Sequence, residues 1–197
     1  MGRPREHDEA TATALLAVAE RTIQTGGLAT LSLRAVAQDA GTTTRAIYSL
    51  FGSKERLLAA LGARAFELLR AGLLALEGSP DPRQDLIEAA LMFRRFALEH
   101  PALFSIGIQR TDPTVWPAFQ SAAAEAFAAL VEQVVPLEEA NLLGGRSARE
   151  AATQFHALCE GLAAIELRGT LAGSDPERFW RRSFHALITG FADGLPA

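Results

Sequence analysis

Thr43, Thr44, Arg45, Tyr48 and Ser49 place four hydroxyls and one guanidinium on a single short stretch of chain. Hydroxyls exchange hydrogen bonds with phosphate oxygens, and a guanidinium can grip two acceptors on one base edge, so the set suits nucleic acid. Just beyond it stands Lys54, the single lysine among 19 basic residues. A chain that otherwise uses arginine keeps one ammonium at this position. A second group of chemically capable side chains, His156, Cys159 and Glu160, falls at i, i+3 and i+4, which puts all three on one helix face.

The elements that must position these residues read as helices throughout. Apolar residues recur at helical spacing, and no alternating run is bounded by hairpin turns, so the predicted fold is all-α with about nine helices. The first helix is expected from about Asp8 to Gln24, with Leu15, Val18 and Thr22 on one face and Thr25 to Gly27 as its stop. Ser32 opens a short second helix with Leu33, Val36, Ala37 and Ala40 inward, and Gly41 supplies the left-handed turn after it. Thr43 caps a third helix that turns Ile47, Leu50 and Phe51 inward, and Ser53 caps a fourth that runs towards Leu76. Two short helices across a glycine turn make a helix-turn-helix, whose second member can enter a major groove.

Glu77 to Pro82, "EGSPDP", breaks the chain into a head and a body. Beyond it helices are expected at about 82–99, 101–108, 113–135, 147–168 and 176–194, four of them opened by proline at the first turn. The expected organisation is residues 1–54 as the DNA-binding domain, 54–76 as a connecting helix and 77–197 as the body.

Composition limits the function. The 197 residues, 49% hydrophobic and 21% charged, suit a globular chain with a sizeable core. The single Cys159 excludes an internal disulfide framework. No apolar run reaches the roughly 18 residues of a membrane span and the N-terminus lacks a signal-like apolar centre, so the expected compartment is the cytoplasm. Net charge is −4, but residues 1–54 hold six basic and five acidic groups against 13 and 18 in the rest. That split permits local phosphate binding while discouraging indiscriminate association. No Gly-rich phosphate loop, G-x-S-x-G or H-E-x-x-H is present, so no catalytic residue and no cofactor is expected.

"SLRAVAQDAGTTTRAIYSLFGSKERLLAAL", Ser32 to Leu61, resembles the helix-turn-helix and fourth-helix start of TetR-type transcriptional repressors. The features in register are Ser32, Ala40-Gly41, Tyr48 to Phe51 and Ser53-Lys54-Glu55; Leu50 stands where the family often carries a His. The resemblance implies that Lys54 sits on the first turn of the fourth helix, pointing at a DNA phosphate. A lysine there opposes the helix dipole, and a phosphate would satisfy both the ammonium and the free backbone N–H groups. Tyr48 would give its hydroxyl to a phosphate, Ser32 and Thr43 would cap their helices and touch phosphates, and Thr44, Arg45 and Ser49 would face outward to the DNA, with Arg45 placed either to read guanine or to hold a phosphate. Arg3 and Arg5, flanking Pro4, either form a groove-seeking arm or a tail without a role.

The resemblance also implies a body that binds an inducer and forms the dimer. "FRRFALEHPALF" and "FHALCEGLAAIELRG" are similar to the TetR subgroup named for a Trp-His-Gly motif, although Glu160 replaces the His. Candidate ligand-binding residues are Phe93, Phe96, Phe104, Trp116, Phe119, Phe127, Phe155, His156, Cys159 and Glu160, most of the aromatics being expected in the core. Glu160 and His156 are read as a polar pair in a mainly apolar pocket or as surface groups, in preference to a metal site formed with Cys159, since no second donor cluster lies at ligand spacing. The expected partners are double-stranded operator DNA, a small-molecule inducer and a second copy of the chain. That copy would pack on the last two helices through Leu158, Leu162, Ile165, Phe184, Leu187, Ile188 and Phe191, unless these form only the monomer core. The function implied is a dimeric repressor released by its ligand. The rivals are a DNA-binding regulator without a small ligand, a metal-responsive regulator, and a helical enzyme or scaffold.

Overall fold

The computed structural model describes residues 3–109, 117–171, 173 and 175–192, with side chains from residue 8 onward. Among these residues every regular element is helical. The elements are α1 (Arg3–Gly26), a 3-10 turn (Leu28–Thr30), α2 (Leu33–Asp39), α3 (Thr44–Leu50), α4 (Lys54–Leu74), α5 (Pro82–Glu99), α6 (Pro101–Leu103), a π-helical turn (Phe104–Ile108), α7 (Pro117–Glu139), α8 (Ala148–Leu167) and α9 (Pro176–Ala192). The chain forms two compact units, Met1–Ala65 with His100–Ala122 and Phe66–Glu99 with Ala123–Ala197.

The first unit is built on the apolar face of α1. Leu15, Val18, Ala19 and Ile23 are buried on that face, and α1 packs against α2, α3 and α6. Thr22 is half-buried because its hydroxyl is spent on the Val18 carbonyl at 2.9 Å. Polar groups join the same helices: His100 Nδ1 lies 2.7 Å from Glu20 Oε1, and Arg64 Nε lies 4.0 Å from Glu20 Oε2. The segment expected as one helix over 101–108 is a single α turn that widens into the π turn. Here Gly107 lies against α4: a Cβ on it would stand 2.8 Å from Ala65 Cβ and 3.2 Å from the Gly62 carbonyl oxygen. Only glycine lets the two backbones approach so closely.

The second unit packs α5 against α9 and α8, and α8 against α9. Its centre is aromatic, with Phe155 and Phe184 rings 4.8 Å apart and Trp180 stacked on Phe184 at 5.7 Å. One carboxylate ties the three helices. Glu166 on α8 accepts two bonds from Arg94 Nε and one from Arg94 Nη2 on α5, at 2.7–3.1 Å, and a fourth from Trp180 Nε1 on α9 at 2.8 Å. The guanidinium of Arg94 is held above its ordinary pKa chiefly by that carboxylate. Ser147 and Glu150 close α8 with a reciprocal capping box.

Three helix boundaries differ from the sequence reading. α1 begins at Arg3, so Arg3 and Arg5 lie on helical backbone, although their side chains are outside the described ones. α7 begins at Pro117; Pro113 lies outside the described residues. At its far end α7 continues past Pro136 to Glu139. The bond this proline cannot donate would go to the carbonyl of Glu132, an exposed residue that water can serve, while fully buried Leu137 anchors the last turn. Asn141, at φ 57°, then takes the left-handed position, and Leu142 N–H reaches back to the Leu137 carbonyl at 2.8 Å.

Candidate nucleic-acid interface and apolar cavity

Buried Val36, Ala37 and Ile47 anchor the two short helices, with Leu33, Ala40, Leu50 and Phe51 half-buried beside them. Gly41, at φ 66°, makes the turn between them. Anchoring α3 through Ile47 decides what it presents. Thr43, Arg45, Tyr48 and Ser49 are exposed and Thr44 is half-buried, with Tyr48 56% exposed despite its ring. An apolar ring left in water on a helix otherwise lined with hydroxyls and a guanidinium marks a surface built to be covered.

The caps differ in how they are used. Thr43 Oγ1 accepts from Ala46 N–H at 3.3 Å, as expected of a cap. Ser32 occupies the corresponding place on α2 but its side chain makes no cap hydrogen bond, which corrects the reading of this hydroxyl as a cap. At the start of α4 the Ser53 hydroxyl accepts from Arg56 N–H at 3.2 Å. The Glu55 carboxylate is held below its ordinary range first by its own backbone N–H and then by the Ser53 hydroxyl.

Lys54 has a partner that sequence reasoning missed. Its Nζ donates to the backbone carbonyl of Leu31 at 2.7 Å, across 23 positions of chain. Leu31 is buried and immediately precedes Ser32, so the bond fastens the start of α2 to the start of α4. An ammonium carries three donors, and this bond uses one. No sequence pattern announces a bond from a side chain to a distant carbonyl.

The second unit holds a partly open cavity of about 260 Å³. Of the residues expected at a ligand site, Phe93, Phe127, Phe155, His156 and Cys159 line it. Phe96 is buried with its ring 6.3 Å from Phe93 but does not reach the cavity, and Phe104 and Phe119 belong to the first unit. Trp116 lies outside the described residues. Glu160 is half-exposed with its Oε2 3.9 Å from His156 Nε2, and it is not in the lining. The helical step from 156 to 160 overshoots the cavity wall, so the three donors do not converge; among the described residues no three His, Cys, Asp or Glu side chains are placed to hold a metal. Phe66, Leu69, Leu73, Met92 and Leu130 complete much of the wall. These five read as ordinary core in the sequence, and only the i, i+3, i+7 spacing of the first three marks a shared face.

Burial pushes the His156 pKa down from its ordinary 6.5, opposed by the Glu160 charge, and so favours the neutral imidazole. Burial pushes the Cys159 thiol well above 9.0, which keeps it protonated.

Residues 15–61 match the family described as bacterial regulatory proteins, tetR family, and residues 86–190 match the tetracyclin repressor-like C-terminal domain. The chain belongs to the TetR family. It is therefore a DNA-binding transcription regulator and not an enzyme, of a family that acts on operator DNA and typically as dimers. Solved structures agree with this fold. A protein with unknown function from Rhodococcus sp. RHA1 is 26% identical, with a TM-score of 0.82 over 92% of this chain and 95% of that one. A TetR family transcription regulator from Marinobacter aquaeolei VT8 is 21% identical, with a TM-score of 0.68 over 93% and 96%. The TetR family transcriptional regulator PfmR from Thermus thermophilus is 18% identical, with a TM-score of 0.68 over 93% and 99%. Comparison with curated proteins finds no match. Among the described residues of this TetR-family chain no helix is long and apolar enough to cross a membrane.

Proposed function

We propose that this TetR-family regulator is a cytoplasmic dimeric repressor that leaves its operator when a small molecule occupies the cavity. The observation that carries the release step is the cavity itself, lined by apolar side chains with one imidazole and one thiol among them. Residues 1–54 form the functional DNA-binding part, 54–76 connect it and lend Phe66, Leu69 and Leu73 to the cavity wall, and 77–197 supply the rest of the ligand site and the partner surface. Arg45 and Thr44 read base edges, while Ser32, Thr43, Tyr48, Ser49 and Lys54 seat phosphates and Arg3 and Arg5 add an arm. The narrower likeness to the Trp-His-Gly subgroup rests only on Phe93 to Phe104 and Phe155 to Gly169.

Lys54 and the cavity residues Leu69 and Leu73 belong to one helix, α4. A ligand that favours one placement of α4 changes the separation of the two heads, and its effect is bounded by its differential affinity for the two states. The dimer face proposed on α8 and α9 uses half-exposed Leu158, Ile165 and Leu187, with exposed Ala157, Gly161, Ala186 and Gly190 allowing close approach. Leu162, Phe184, Ile188 and Phe191 are buried within the monomer and serve its core.

A DNA-binding titration at several salt concentrations, on intergenic DNA beside the protein's own gene and on a randomised operator library, tests the reading. Saturable, sequence-selective binding with a steep salt slope, lost in Arg45→Ala, is expected. Equal weakness on every library sequence would overturn it.

A further inference from the structure

The cavity wall states what kind of molecule it can hold, on the reading that it is the ligand site. Its volume of about 260 Å³ compares with about 150 Å³ for a cavity that holds benzene, which suits a molecule on the order of ten non-hydrogen atoms. Phenylalanine, leucine, methionine and alanine make up all of the lining except His156 and Cys159. Two charges flank the wall without joining it. Glu160 stands beside His156, and the Arg149 guanidinium lies 5.1 Å from the Phe127 ring centroid, but neither lines the cavity. A charged ligand would thus lose its hydration without gaining a counter-charge in contact.

His156 gives the wall its one versatile polar group. Its ring meets Phe93 edge-on at 6.0 Å, and its 3.9 Å approach to Glu160 is beyond hydrogen-bond length. A neutral imidazole offers one donor and one acceptor nitrogen. We infer that the cavity takes an uncharged, largely apolar molecule whose single hydroxyl or carbonyl group hydrogen-bonds to His156. The Glu160 carboxylate then acts on the imidazole and not on the ligand, so a cationic ligand is disfavoured.

Ala123, half-buried on the cavity wall, lets the cavity be filled by substitution. The test uses the full chain with four probes of one skeleton: naphthol, naphthalene, naphthoate and naphthylmethylammonium. Calorimetry gives their affinities, and their loss in Ala123→Trp, with circular dichroism showing that this variant is folded, places each probe in the cavity. Naphthol should bind the native chain but not Ala123→Trp, with the two charged probes on the order of a hundredfold weaker. In His156→Leu the preference for naphthol over naphthalene should fall by about three- to tenfold, and His156→Gln, which keeps a donor and an acceptor, should retain it. Binding of either charged probe as tight as that of naphthol would overturn the inference, as would naphthol binding that survives in folded Ala123→Trp or no binding of either neutral probe. A naphthol that fills the cavity without altering operator affinity supports the ligand class and counts against the release mechanism.

Discussion

Replacing Lys54 with methionine keeps the length of the side chain and removes its ammonium, and the structure predicts two separable effects. The first needs no DNA. The lost bond joins a charged donor to the Leu31 carbonyl at 2.7 Å, in a half-buried setting. Charged hydrogen bonds contribute about 1.5–3 kcal/mol, and the partial exposure here points to the lower end, about 1.5 kcal/mol. At roughly 2–4 °C per kcal/mol for a chain of this size, thermal denaturation of Lys54→Met should fall by about 3–6 °C. The second effect appears only on DNA. If each ammonium also neutralises one phosphate, the slope of log K against log salt should become shallower by about 0.9 per half-site. The two readouts divide the outcomes. A lower Tm with an unchanged slope would make Lys54 a brace for α2 and refute its phosphate contact. An unchanged Tm would refute the reasoning from the Leu31 bond, whatever the DNA result.

Three further outcomes follow from other contacts. Glu166→Leu leaves the Arg94 guanidinium and the Trp180 indole without their shared acceptor and should cost about 3–5 kcal/mol in urea denaturation, most of it recovered when Arg94→Met is added; a double variant as unstable as the sum of the singles would refute the coupling. Gly107→Ala forces a methyl against Ala65 and the Gly62 carbonyl and should cost about 1–3 kcal/mol in the same assay, an unchanged midpoint showing that the π turn yields freely. His156 is held below its ordinary 6.5, so the unfolded chain binds more protons than the folded one in the acid range: stability present above about pH 6.5 should decline as pH falls through the folded pKa, and His156→Leu should flatten that part of the profile.

The parts of this molecule that the sequence made legible are those where a residue breaks a pattern. Pro82 and Pro176 mark helix starts, and Ser147 after the Gly144-Gly145 loop marks another, and the structure begins helices at or beside each of them. Pro136 broke the pattern too, yet α7 runs through it, because the cost of a proline depends on whether the orphaned carbonyl can reach water, and that is a property of the fold. The polar face of α3 could be read because Ile47 fixes which side is inward and the hydroxyls then have only one place to go.

A cavity leaves no such mark. Leu69, Leu73 and Met92 line it, while Leu86 and Phe104 are packed solid, and nothing in residue type separates the two sets. What separates them is the absence of neighbouring atoms, which depends on four helices at once, α4, α5, α7 and α8. The polar residue at the wall follows the same logic in reverse. His156, Cys159 and Glu160 share a helix face by spacing, but a face is wider than a cavity rim, and the single step to Glu160 puts its carboxylate outside the lining. That step sets the chemistry of the site: a carboxylate inside would select cations, whereas a neutral imidazole inside with the carboxylate beside it selects a hydrogen-bonding group without charge.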